Sequence, residues 1–148
     1  MASTARQIAD KVVELLNAGS FTPAISPVVQ FLRPSMDQET LGSLNVLVVP
    51  GARADAVSSR GSDSKTFSVD IGLLKRIDPE DVDEADELLA LIESIGDYLA
   101  RQNNRTFSIA AGGVAWQGQE QDPIYFEEHL DVHSAFVTVL RVNYVLHT

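Results

Sequence analysis

The chain has 148 residues, of which 45% are apolar, and it carries a formal charge of −10 from 21 acidic and 11 basic residues. This composition is typical of one globular domain, and the lack of cysteine excludes disulfides, zinc–thiolate sites and thiol nucleophiles. The acidic balance opposes tight binding to nucleic acid or anionic lipid, which needs clustered Lys and Arg. No apolar run approaches the roughly 18 residues of a membrane span, and the N-terminus lacks a signal-peptide core.

Two segments have the spacing of amphipathic helices. The first is predicted over residues 4–18, where Thr4 and Gln7 have capping-box spacing and Gly19 stands at the place of a left-handed cap. The second is predicted from about Pro79 to Gln102, after a cluster of acidic residues that suits the positive end of a helix. Its apolar stripe consists of Ala85, Leu88, Ile92, Ile95 and Leu99.

Extended segments occupy much of the remaining chain. We expect strands at 28–32, 44–49, 66–74, 107–116 and 133–146, with a short extended piece at 124–126. In the third of these strands Phe67, Val69, Ile71 and Leu73 alternate with smaller or polar residues, which indicates one buried face. Gly112-Gly113 indicates a turn or bulge, and Gly118 to Pro123 indicates a loop.

The element order α-β-β-β-α-β-β predicts a single domain over residues 1–148. Runs of strands with two intervening helices favour an α+β fold, with an antiparallel or mixed sheet and the two main helices packed on one face. The strands at 44–49 and 66–74 are predicted to form a hairpin. Residues 51–65 between them are rich in Ser, Gly and charged side chains and are predicted to be a mobile hairpin loop.

Catalytic and metal-binding patterns are weak in this sequence. His129 and His133 have the i, i+4 spacing of two metal ligands on a helix, with Glu127, Glu128 and Asp131 nearby. The segment has no helical apolar pattern, so we interpret it as a turn and predict no metal site. No nucleophile elbow or phosphate-binding loop is present. We therefore predict no catalytic residues, no cofactor and no enzymatic activity.

The predicted hairpin loop is the strongest candidate for a functional role. Arg53, Asp55, Arg60, Asp63 and Lys65 place both signs of charge along it. Such an arm can order against a neighbouring subunit through charge pairs, so these five residues are candidates for a subunit interface. The alternative interpretation is a hairpin tip with no role.

Several segments resemble small proteins encoded in prophage head–tail gene clusters. They are residues 8–18, 44–50, 67–72, 88–93, 122–125 and 128–130, followed by a long final strand. The order of elements is similar to that of the tail terminator proteins of long-tailed phages and of related neck components. The resemblance covers most of the chain, although it consists of helix and strand patterns instead of chemical signatures.

This resemblance implies a structural virion component that oligomerises into a ring, hexameric by family analogy, at the head–tail junction or the end of the tail tube. Its partners would be further copies of itself, the tail tube protein and head–tail connector proteins. DNA would be passing cargo without specific binding, and no membrane would be involved. The protein would be assembled in the host cytoplasm and found in the neck or tail of the virion.

Three alternatives remain open from the sequence. One is a head-completion or neck adaptor protein of the same particle. Another is a small ligand-binding regulatory domain with a pocket between helix and sheet. The last is a hydrolase that uses His129 or His133.

Overall fold

The computed structural model describes residues 2–31, 42–59 and 62–147, with side chains described except at 57–59, 62–63 and 131–133. Three helices and six strands lie in the described residues. They are α1 (Thr4–Ala18), β1 (Val28–Val29), β2 (Asn45–Ser59), β3 (Ser62–Arg76), α2 (Val82–Leu99), β4 (Thr106–Ile109), β5 (Gly112–Glu120), α3 (Glu127–His133) and β6 (Ala135–His147), with a 3-10 turn at Gln102–Asn104. The α+β class is confirmed.

The strands form one mixed sheet in the order β1-β2-β3-β6-β5-β4. β1 pairs with β2 in parallel, and every other neighbouring pair is antiparallel. β2 and β3 form the predicted hairpin, and β6 lies between β3 and β5 in the middle of the sheet. The last strand of the chain therefore connects β1, β2 and β3 on one side of the sheet with β5 and β4 on the other.

One face of the sheet carries the main core. The buried face predicted for β3 is confirmed, because Phe67, Val69, Ile71 and Leu73 are all buried. The alternation itself is not, because Ser68, Gly72 and Leu74 on the other face are buried as well, and Leu74 packs in a second cluster on that face. Tyr144, Val142, Leu140 and Thr138 lie opposite them on β6 and are buried as well. Buried side chains of both long helices belong to the same cluster, which includes Ile8, Val12 and Leu16 of α1 and Leu91, Ile92, Ile95 and Leu99 of α2.

A smaller cluster fixes where α3 lies. Ile77, Leu88 and Phe136 are buried together, and Ala85 of α2 and Leu130 of α3 pack against them. Since β6 begins at Ala135 and α2 begins at Val82, this cluster places α3 and the start of α2 at the same end of the sheet.

The helix ends differ from the predicted caps. Ser3, and not Thr4, caps α1 by accepting a hydrogen bond from the Arg6 amide at 3.2 Å. Gly19 has φ −87° and is not left-handed. α2 begins three residues later than predicted, because Asp81 caps it and Asp78 instead accepts from the Glu80 amide in the preceding turn.

The C-terminal half also differs from prediction. The segment predicted over 107–116 is two strands, β4 and β5, and the turn expected at Gly112-Gly113 lies two residues earlier, at 110–111. β5 continues to Glu120, into the first three residues of the predicted loop. Residues 127–133 were interpreted as a turn but form α3. A helix of seven residues is too short to show periodicity, and the packing of Leu130 on the sheet stabilises it.

Candidate subunit-contact surface

Residues 51–65 are strand wherever the structure describes them. The sequence predicted a loop, but β2 continues to Ser59 and β3 begins at Ser62. The second strand has a partner on both sides, because Ser64 lies opposite Ala56 on β2 and opposite His147 on β6. Within this segment β6 reaches only Ser64 and Lys65, so pairing between β2 and β3 overrides the low strand propensity of the other described residues.

An irregularity interrupts the hairpin between Pro50 and Arg53. Pro50 cannot donate a backbone hydrogen bond, and the Ala52 amide donates instead to the Ser68 hydroxyl at 2.7 Å. A side chain at Gly51 would meet that same hydroxyl at 2.8 Å, so only glycine fits there without movement. The bulge shifts the register by one residue before the strand resumes at Arg53.

Arg53 and Asp55 form a bidentate pair after the bulge. The guanidinium donates to the two carboxylate oxygens at 3.0 and 2.9 Å, and its carbon lies 5.8 Å from the centroid of the Phe67 ring. The hydrogen bond from Arg53 lowers the pKa of Asp55, and the nearby charge of Lys65 acts in the same direction. Both side chains of the pair are about half exposed.

The other three candidate interface residues, Lys65, Asp63 and Arg60, are described to different extents by the structure. Lys65 lies directly opposite Asp55 in the hairpin, so the structure brings three of the five predicted residues together. Asp63 lies opposite Val57 in the backbone register, but its side chain is outside the described part. Arg60 lies outside the described residues. The assignment of these residues to a subunit interface stays a prediction.

The sheet has two open margins. β1 pairs only with Leu47 and Val48 of β2. Within the described residues, the outer edge of β2 beyond this point therefore has no neighbouring strand, and residues 51–56 are all exposed. β4 forms the opposite margin, and β5 is its one neighbouring strand in the described part of the chain. Unpaired strand edges offer backbone donors and acceptors to another chain.

A second bidentate ion pair lies on the sheet face opposite the helices. Arg141 donates to both carboxylate oxygens of Asp70 at 2.8 and 3.0 Å, and this contact raises the pKa of Arg141. Only the register of β3 with β6 shows that they lie directly opposite each other.

The two histidines lie on one helix, contrary to the predicted turn. His129 is 6.1 Å from Phe126 between ring centroids, in an edge-on arrangement, and the side chain of His133 is not described. No group of three or more His, Asp or Glu residues that could hold a metal is found among the described side chains. Surface depressions in the described part include one of about 330 Å³ between α1 and β4, one of about 410 Å³ beside β4 and β5, and one of about 300 Å³ between the start of α1 and the bulge at residues 50–53.

Comparisons with known proteins give no family for this chain. No family model matches it, and no curated protein matches it. Several solved structures are similar in fold, and one of them aligns over 97% of this chain and 92% of its own length, at 14% sequence identity and a TM-score of 0.44. A similarity at this level establishes neither a family nor a function. None of the helices in the described part is long and apolar enough to cross a membrane.

Proposed function

We propose that this protein is a non-enzymatic structural subunit that assembles into a ring at the head–tail junction or tail end of a long-tailed phage. The observation that carries the proposal is the β2–β3 hairpin. It has two 15-residue strands, its outer edge is unpaired beyond Val48 in the described residues, and its exposed surface holds the Arg53–Asp55 pair. The phage setting comes from the sequence resemblance.

Open margins on opposite sides of one sheet support head-to-tail assembly. When two different surfaces of one chain bind each other, each terminal copy of the assembly still has one unbound surface. Further copies therefore add until a ring closes or a filament grows. β2 and β4 are such surfaces, because they lie near opposite margins of the sheet. Backbone pairing alone does not fix which residues of two strands lie opposite each other. The charges of the hairpin would fix this register.

The proposal is tested on the purified chain and on phage particles. Size-exclusion chromatography with light scattering is expected to show a discrete oligomer, and negative-stain images are expected to show closed rings or density at tail ends. Only monomer in solution, together with particles that lack the protein, would contradict the proposal.

A variant tests the part played by the hairpin. Lys65→Glu reverses a charge beside Asp55 and is expected to raise the concentration at which oligomers form. Glu93→Lys also reverses one charge, at an exposed position of α2 that belongs to neither the hairpin nor β4, and is expected to leave that concentration unchanged. If oligomers of the two variants form at the same concentration, the hairpin charges do not belong to the interface.

A further inference from the structure

The negative charge of this chain is concentrated in two segments. Residues 75–87 and 120–131 carry twelve of the 21 acidic residues and two of the 11 basic residues. The nine acidic and nine basic residues elsewhere cancel, so these two segments account for the whole formal charge of −10. The remainder of the molecule is neutral.

The fold brings these two segments together. Ala85 follows the acidic start of α2, Leu130 belongs to α3, and both pack against the cluster around Phe136. We call residues 75–87 and 120–131 the acidic end. Acidic side chains in the first turn stabilise a helix through its dipole, but this effect fades within that turn. Asp86 and Glu87 lie beyond the first turn of α2 and are exposed, so the dipole does not account for them.

The acidic end also exposes apolar side chains. Val82 is 73% exposed, Ile124 is 58% exposed, and Tyr125 is 39% exposed with its ring stacked on Phe136 at 5.8 Å. Apolar side chains surrounded by charged ones are typical of protein–protein contacts. A surface that only repels DNA needs no apolar side chains, so this combination favours a protein partner.

Arginines lie at the other end of α2. The carbon of the Arg101 guanidinium is 5.5 Å from the Tyr98 ring centroid, and that of Arg105 is 5.1 Å from the Trp116 ring centroid. Both arginines are exposed, and neither has a carboxylate within 4.0 Å among the described residues. Stacking on an aromatic ring orients a guanidinium in advance, which lowers the entropy lost when it binds a carboxylate.

The hairpin lies at the same end as these arginines. The Trp116 amide donates to the Arg105 carbonyl, and Trp116 lies opposite Tyr144, which lies opposite Phe67, the partner of Arg53. We call Arg53, Lys65, Arg101 and Arg105 the arginine end. Residues 88–99 of α2 separate it from the acidic end by about 18 Å at 1.5 Å per residue.

We propose that the acidic end of one copy of this chain docks on the arginine end of the next copy. This inference rests on the proposed ring and assigns the acidic end, in place of the β4 margin, as the surface that meets the hairpin of the next copy. Arg101 and Arg105 pair with carboxylates such as Asp86 and Glu87 of the neighbour, while Val82, Ile124 and Tyr125 supply the apolar centre of the contact. Because one chain carries both surfaces, the contact repeats head to tail.

Charge reversal at each end tests the proposal by sedimentation velocity and mass photometry on the full chain. Arg101→Glu with Arg105→Glu is expected to raise the assembly midpoint at least tenfold, and Asp86→Lys with Glu87→Lys is expected to do the same. An equimolar mixture of the two variants, or one chain with all four changes, is expected to recover assembly. Glu93→Lys, at an exposed position of α2 outside both ends, is the control and is expected to leave the midpoint unchanged.

The outcomes separate this inference from the proposed ring. A wild-type oligomer whose midpoint neither end variant moves beyond the control overturns the docking and leaves the ring standing. An acidic-end variant that forms rings normally but no longer attaches to tails also overturns it, because the acidic end then faces a different protein. A wild-type chain that is monomeric in solution and absent from particles overturns both proposals.

Discussion

The Arg53–Asp55 pair is a local charge contact that titration can measure directly. Asp55 has a lowered pKa because Arg53 donates to it. In Arg53→Ala we expect the pKa of the Asp55 carboxyl, followed by NMR, to rise toward the ordinary value of about 3.9. A lowered folded-state pKa contributes stability above the unfolded-state value, and this contribution is lost as the pH falls through the folded-state value. An unchanged Asp55 titration would contradict the observed geometry.

Tyr144 and Tyr98 give opposite predictions for the same substitution. The Tyr144 hydroxyl is buried without a hydrogen-bond partner among the described groups, and burial raises its pKa. Tyr144→Phe is therefore expected to keep or raise the free energy of unfolding, by up to about 1 kcal/mol. The Tyr98 hydroxyl donates to the Leu15 carbonyl at 2.6 Å. Tyr98→Phe is therefore expected to lower the free energy of unfolding by about 1 kcal/mol.

Urea denaturation of the wild type and the two phenylalanine variants measures this difference. Because both substitutions remove only one hydroxyl, the ring packing is conserved in each. A loss at Tyr144 equal to the loss at Tyr98 would show that the Tyr144 hydroxyl has a partner in solution.

At the scale of elements, the β4–β5 turn depends on a single glycine. Gly112 has φ +147°, and a side chain there would meet the His147 carbonyl oxygen at 2.5 Å. Gly112→Ala is therefore expected to lower the free energy of unfolding by about 2 kcal/mol. Gly113 is the adjacent control, because its φ is not positive and no atom lies within 4 Å of the place that an alanine methyl group would take. Thermal unfolding is expected to give a clearly lower midpoint for Gly112→Ala than for Gly113→Ala.

The hairpin and α3 show why some elements could not be predicted locally. Residues 51–65 have weak strand propensity, yet β2 and β3 pair along the described part of this segment, and β6 from the far end of the chain pairs with Ser64 and Lys65 at its base. α3 has little periodicity of its own and is stabilised where Leu130 packs on Phe136 and Leu88. By contrast, α1 and the apolar face of β3 follow from spacing within the segment itself.

At the scale of the whole molecule, the clustering of negative charge at the acidic end has a measurable effect on the free energy of unfolding. Asp86 and Glu87 lie outside the first turn of α2 among many like charges. Asp86→Asn with Glu87→Gln is expected to raise the free energy of unfolding by about 0.5 kcal/mol at low ionic strength, and this gain is expected to disappear in roughly 1 M salt.

Asp83 provides the comparison within the same helix. It lies in the first turn, where a carboxylate interacts favourably with the helix dipole. Asp83→Asn is therefore expected to give a smaller gain than the double variant or a loss of about 0.5 kcal/mol. Chemical denaturation at two salt concentrations distinguishes the two positions, and identical responses would mean that the crowding of charge has no effect on folding.

The sequence by itself determined the α+β class, the two long helices and the buried face of β3, because apolar spacing within one segment decides which side of that segment leaves water. The tertiary structure alone decided the extent of the hairpin, the pairing of Asp70 with Arg141, and the separation of the acidic end from the arginine end. These features depend on strand register and on contacts between residues far apart in the chain, and no local pattern specifies either.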